Sequence, residues 1–182
     1  MKQHLKKFAT ACKTFRRSED GSSTLELMTV LPAAMIFFAA SYETGTLGLR
    51  HMMLERAVDV TVREVRIGAI DKPDHGILKE RICDAALIIP NCLEEVKLEM
   101  VRKEIRNFSA MDPQPDCIDR EERGAPRKDF ATGGNNDLMI LRVCALFDPV
   151  LPTATIGAAL PKQSQGAYAL VTTSSFVLEP FK

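Results

Sequence analysis

The spacing of hydrophobic positions changes along the chain, and the first pattern is a long uninterrupted run. Residues 27 to 42 comprise 16 apolar or small residues with no charge among them. As a helix rising 1.5 Å per residue they reach roughly 24 Å, slightly less than the thickness of a bilayer core. The run therefore predicts a single membrane-spanning helix with a carboxylate at each end, Glu26 at one interface and Glu43 at the opposite one.

Beyond the run, apolar residues recur at spacings of seven, four, four and three, which places them on one face of a helix. These residues are Leu47, Leu54, Val58, Val62 and Val65. The helix that begins near Ser23 is therefore predicted to continue past the membrane and to end near Gly68. Pro32 lies within it, and membrane helices tolerate such a proline as a kink.

The remaining pattern predicts a short helix and about three strands. Residues 77–88 have helical spacing up to the break at Pro90 and Asn91. Alternating or β-rich segments at 96–101, 138–147 and 168–178 predict strands, and 111–136 has a loop composition. The segment from Pro152 to Pro161 predicts a connection that includes a helical turn. One long helix covering one face of a small antiparallel sheet is an α+β arrangement.

Charge divides the chain into a basic leader and an acidic remainder. Residues 1–21 contain six basic and two acidic residues, a net charge of +4, and the rest contains 18 basic and 22 acidic residues. Positive charge on one side of an apolar segment favours the cytoplasm for that side, so the leader stays inside and the body is exported. A basic leader is also compatible with nucleic-acid binding, but no aromatic interleaving or recognition motif supports that.

The five cysteines fit this topology. Cys12 lies in the leader, where the cytosol keeps thiols reduced. The other four, which follow the apolar run, predict two disulfides in an oxidising compartment. These four are Cys83, Cys92, Cys117 and Cys144. Of the three possible pairings we favour Cys83 with Cys92 and Cys117 with Cys144, which close the shortest loops; buried free thiols are the alternative.

The sequence contains no recognisable catalytic, metal or phosphate-binding motif. His4, His51 and His75 lack the spacing of a zinc site, and no phosphate loop or nucleophile elbow is present. The loop around Asn135 has oxygen ligands that could bind calcium, although a plain hairpin loop is the favoured interpretation. We therefore expect no enzymatic activity, no metal, no cofactor, no small-molecule substrate and no nucleic-acid partner.

Several segments together resemble the TadE-like proteins, minor pseudopilins of the bacterial tight-adherence (Tad, or Flp) pilus. The resemblance covers residues 19 to 70 and runs from Glu19-Asp20-Gly21 and Glu26 through Pro32 to the stretch 54–69. It implies a type IV pilin-like fold and cleavage by a prepilin peptidase between Gly21 and Ser22. Glu26 is then the fifth residue of the mature chain, where the family requires a glutamate for processing or assembly. The family often has an aromatic residue next, and this chain has Leu27.

The expected organisation has three parts: a cleaved cytoplasmic leader (1–21), a membrane and assembly helix (22–49) and a periplasmic pseudopilin domain (50–182). The resemblance implies an inner-membrane protein that assembles with other pilin and pseudopilin subunits and serves adhesion and biofilm formation. Cleavage creates an α-amine on Ser22, which can pair with Glu26 of a neighbouring subunit. Such a pair offsets the cost of placing either charge in apolar surroundings.

Three alternatives remain open. The chain could be a monomeric signal-anchored periplasmic protein with a binding or enzymatic body, but that leaves the spacing of Gly21 and Glu26 unexplained. It could carry an ordinary secretory signal cut after Ser41, which requires an unusually long basic region. It could also be a pseudopilin of a type II secretion system.

Overall fold

A computed structural model describes residues 22–70, 73–122, 130–152 and 155–180. The chain forms two compact units, Met1–Ser41 and Tyr42–Lys182. The second unit begins at Tyr42. The sequence analysis expected the periplasmic domain to begin at position 50.

The first element, α1, is a helix over Ser22–Arg66 that includes Pro32. Within the first unit, two hydroxyl side chains of this helix donate hydrogen bonds to carbonyl oxygens of the preceding turn. Thr29 Oγ1 donates to Glu26 O at 2.9 Å, and Ser41 Oγ donates to Phe37 O at 2.9 Å. By length and composition the helix could cross a membrane. The prediction of one long N-terminal apolar helix is confirmed.

The second unit contains a three-stranded antiparallel sheet in the order β1-β2-β3. The strands are β1 over Val96–Lys103, β2 over Leu138–Phe147 and β3 over Tyr168–Val177. In the register, Val143 of β2 lies opposite Leu98, and Cys144 lies opposite Val171. All three predicted strands are confirmed, and the sheet is antiparallel as expected.

The described part of the second unit also contains three short α-helices, α2 over His75–Ala85, α3 over Cys92–Glu95 and α4 over Thr155–Ala159, and a 3₁₀ helix over Ser164–Gly166. The second helix was predicted at 77–88 and is shifted toward the N-terminus. It starts earlier because the Asp74 carboxylate accepts a hydrogen bond from Gly76 N at 3.1 Å and caps the helix. It ends at Ala85 because the backbone of Ala86 is no longer helical. The four-residue α3 was not predicted, since one turn is too short to show periodicity.

Apolar side chains cover both faces of the sheet. On one face the predicted stripe of α1 packs into the main core with α2 and all three strands; its buried members are Leu54, Val58, Val62 and Val65. On the other face Cys144 and Leu146 form a smaller cluster with Ala167, against which Cys117 and Ile118 pack. Burial on both faces explains why β2 is apolar at every position except Arg142, whereas β1 alternates.

Candidate functional site

The predicted processing site lies at the first described residues of α1. Gly21 falls outside the described residues, and Ser22 is the first residue of the helix. Glu26 follows one turn later with an exposed side chain. It is the only charged residue between Asp20 and Glu43 in the sequence. A carboxylate at this position is costly within lipid, which makes it a candidate for a specific role.

Large apolar side chains are exposed around Glu26 and along the described part of the helix up to Ser41. These large residues are Leu25, Leu27, Met28, Val30, Leu31, Met35, Ile36, Phe37 and Phe38. Phe37 and Phe38 contact each other edge to face, with ring centroids 6.1 Å apart. An apolar surface of this extent requires lipid or a protein partner.

Glu43, which the sequence analysis placed at the end of the apolar run opposite Glu26, is buried within the second unit. Its side chain is 0% exposed within the second unit. Oε2 accepts a hydrogen bond from Gly157 N at 3.2 Å, and Oε1 accepts a longer one from Leu151 N at 3.4 Å. Backbone N–H groups more than 100 residues away in sequence satisfy the carboxylate, and no local sequence pattern reveals that contact.

Aromatic residues and one cation lie near Glu43. The Arg50 guanidinium stands over the Phe147 ring, 5.1 Å from its centroid, and Phe147 contacts Tyr168 edge to face at 4.9 Å. Burial raises the pKa of Tyr168, since the phenolate is poorly solvated there. The charge of Arg50 opposes this increase, and the charge of Glu43 adds to it.

The four cysteines of the second unit are joined as Cys83–Cys92 and Cys117–Cys144. The first bridge connects the end of α2 to the start of α3. The second attaches the segment 112–122, here called the strap, to β2 at the centre of the sheet. Both are the pairings that close the shortest loops, with Cα atoms 5.6 Å and 5.3 Å apart.

Ion pairs hold the strap in place as well, and the sequence analysis did not identify them. Lys97 Nζ lies 2.9 Å from Asp116, and Arg120 binds Glu95 at 3.0 Å and Asp148 at 2.7 Å. A hydrogen bond from Glu121 N and another from Ser164 lower the pKa of Asp119. The only sequence signal was the density of charges in a segment classified as loop, which does not reveal the partners.

Another buried pair lies where the strap begins. Arg142 Nη2 lies 2.6 Å from Glu99 Oε2 on the neighbouring strand, and Arg142 Nη1 donates to Asp112 O at 2.6 Å. Both side chains of the pair are buried, so each charge compensates the desolvation of the other. The pair therefore links β1, β2 and the strap.

Comparison of the chain with protein families, curated proteins and solved structures found no match.

The loop considered for calcium has its carboxylate engaged elsewhere. Asp137 accepts a hydrogen bond from Gly134 N at 2.7 Å through Oδ2, and Oδ1 lies 3.0 Å from Arg102. Within the described ranges, no group of three or more histidine, cysteine or acidic side chains could hold a metal ion. The disulfides and ion pairs described above connect the strap to the sheet, and Glu26 is exposed on α1.

Proposed function

We propose that this protein is a minor pseudopilin, a structural and assembly component of a Tad-type pilus. A prepilin peptidase cuts it after Gly21 on the cytoplasmic side, and the helix from Ser22 serves first as a membrane anchor and then as an assembly helix. The α+β body lies in the periplasm. The resemblance over residues 19–70 suggests the Tad system rather than a type II secretion system.

The observation that carries the proposal is the lone carboxylate of Glu26, five positions after Gly21, on a helix whose other large side chains are apolar and exposed. An ordinary anchor does not need a charge there, and lipid makes that charge costly. Pairing with the Ser22 amine of a neighbouring subunit accounts for both the charge and its spacing. The amine exists only after cleavage, so pairing links assembly to processing.

Two features of the second unit support the proposal. A subunit incorporated into a fibre bears mechanical load, and the strap is braced by one disulfide and by the ion pairs of Lys97 and Arg120. Disulfides of this kind are typical of exported proteins.

N-terminal sequencing of the membrane-extracted protein tests the proposal. We expect the mature chain to start at Ser22 and Gly21→Ile to abolish cleavage. Glu26→Gln serves as the matched variant: it should leave membrane insertion intact but reduce crosslinking to other pilin subunits and the amount of surface pili. A start near Tyr42 or an uncut Met1 contradicts the proposed processing. Wild-type pilus output and crosslinking with Glu26→Gln contradict the pairing mechanism.

A further inference from the structure

An exposed apolar knob lies where β1 begins. The Cys83–Cys92 bridge closes the turn between α2 and α3, and the buried Ile89 anchors that turn to the core. Leu87, in the turn, is 82% exposed, and Leu93, on α3, is 55% exposed. A crosslinked turn loses little conformational entropy when it binds a partner. We call Leu87, Ile88 and Leu93 the apolar knob.

Beside the knob lies an acidic surface. A cleft of about 390 Å³ next to the disulfide is lined by the exposed carboxylates of Glu80, Asp84 and Glu94, and by no lysine or arginine of the described chain. Leu93 lines the same cleft, so apolar and acidic groups are adjacent. A partner for this surface needs apolar side chains with cations next to them.

A surface with apolar side chains and cations side by side lies at the other end of β1 in the same chain. Ile105 is 74% exposed and Phe108 is 60% exposed. The basic side chains are Arg102, Lys103 and Arg106. We call residues 102–108 the basic loop.

The basic loop retains positive charge after its local contacts are counted. The loop has three basic residues, and two carboxylates lie beside them: Glu104 in the loop and Asp137, which lies 3.0 Å from Arg102. The net charge is therefore +1, opposite in sign to the Glu80 and Asp84 carboxylates that line the cleft. Lys103 Nζ donates to Ser109 Oγ at 3.0 Å, which holds the loop close to the end of the strand.

The two surfaces are complementary and lie at opposite ends of one strand. The six residues of β1 from Val96 to Val101 separate them by roughly 20 Å at about 3.3 Å per residue. Complementary patches at different places on one chain make a head-to-tail contact, which leaves a free patch at each end and can repeat.

We propose that the apolar knob and acidic cleft of one copy dock on the basic loop of a second copy. Leu87 and Leu93 contact Ile105 and Phe108, and the carboxylates of Glu80 and Asp84 face Lys103 and Arg106. The idea rests on the proposed function, in which the protein assembles with pilin and pseudopilin subunits, and it names a second copy of this chain as one such partner. It adds a contact between the α+β bodies of two subunits to the proposed contact between their N-terminal helices. The contact between the bodies does not itself require cleavage after Gly21.

The test uses the full chain in its membrane, with a photo-crosslinking phenylalanine derivative at position 87. We expect a crosslinked dimer whose second peptide contains residues 102–108. Reversing the acidic side with Glu80→Lys and Asp84→Lys should reduce this product about tenfold, because like charges then face each other. Co-expression with a differently tagged chain that carries Lys103→Glu and Arg106→Glu should restore it between the two tags.

The matched control reverses Glu55 and Asp59, an exposed i,i+4 carboxylate pair on α1 with the same spacing as Glu80 and Asp84. This control should leave the crosslink unchanged, and a non-reducing gel verifies that every variant keeps its disulfides. Crosslinks that map elsewhere, or that reach only another protein, overturn the proposal. So does a product that charge reversal does not reduce.

The same samples separate this contact from the proposed function. A chain that starts at Ser22 but gives no crosslink to 102–108 refutes the body contact alone. A crosslinked chain that still carries its leader supports the body contact and contradicts the proposed processing.

Discussion

Replacing Glu43 tests whether its buried carboxylate holds Leu151 and Gly157 in place. Glu43→Ala removes the acceptor of two backbone N–H groups, from Gly157 at 3.2 Å and Leu151 at 3.4 Å. Leaving a buried N–H without a partner costs about 1–3 kcal/mol, and the longer bond contributes less. We therefore expect a loss of about 2–4 kcal/mol in the free energy of unfolding. Glu43→Gln, which keeps one oxygen but loses the charge, should cost about half as much.

Urea-dependent proteolysis of the purified full chain in mild detergent measures this loss, and hydrogen exchange of the 148–160 peptide locates it. We expect the amides of Leu151 and Gly157 to exchange faster in Glu43→Ala while the amides of β2 exchange last. Glu55→Ala removes an exposed carboxylate from the same helix and should change stability by less than about 0.5 kcal/mol. Equal effects of the Glu43 and Glu55 substitutions, or unchanged exchange at Gly157, refute the reasoning.

A second substitution tests the contact between Glu43 and Gly157 by changing the glycine. A Cβ on Gly157 would lie 2.7 Å from Glu43 Oε1 and 3.1 Å from Pro149 Cβ, which is too close without displacement of the backbone. Gly157→Ala should therefore destabilise the body by about 1–3 kcal/mol. Gly45→Ala serves as the control, since a Cβ there meets nothing within 4 Å.

Two further predictions concern the disulfides and pH. Replacing Cys117 and Cys144 by alanine should lower stability by about 3–4 kcal/mol, and the corresponding Cys83 and Cys92 variant by about 2–3, because the loops closed span 27 and 9 residues; equal losses in urea unfolding contradict the loop argument. Because burial raises the pKa of Tyr168 above 10.0, its contribution is complete below pH 10 and disappears as the pH rises through the higher folded value. Tyrosinate absorbance of a Tyr42→Phe chain should therefore show a midpoint above 10, and a midpoint at or below 10 contradicts it.

The sequence by itself determined the main elements of the fold, because those elements follow from local periodicity. The apolar run and the spacing from Leu47 to Val65 predicted α1, and the strands needed only β-rich segments bounded by turn residues. The candidate role of Glu26 was also evident, since a lone charge beside a long apolar run is a local feature.

Only the tertiary structure decided which distant groups meet. Glu43 is satisfied by backbone groups more than 100 positions away, and Arg120 joins Glu95 to Asp148 across the sheet edge. It also brought the apolar knob and the basic loop to opposite ends of β1. Such contacts depend on how strands and loops are brought together in space, and spacing along the chain contains no record of that arrangement. For the same physical reason the four cysteines that follow the apolar run left three pairings open in the sequence, whereas Cα separations of 5.6 Å and 5.3 Å select one.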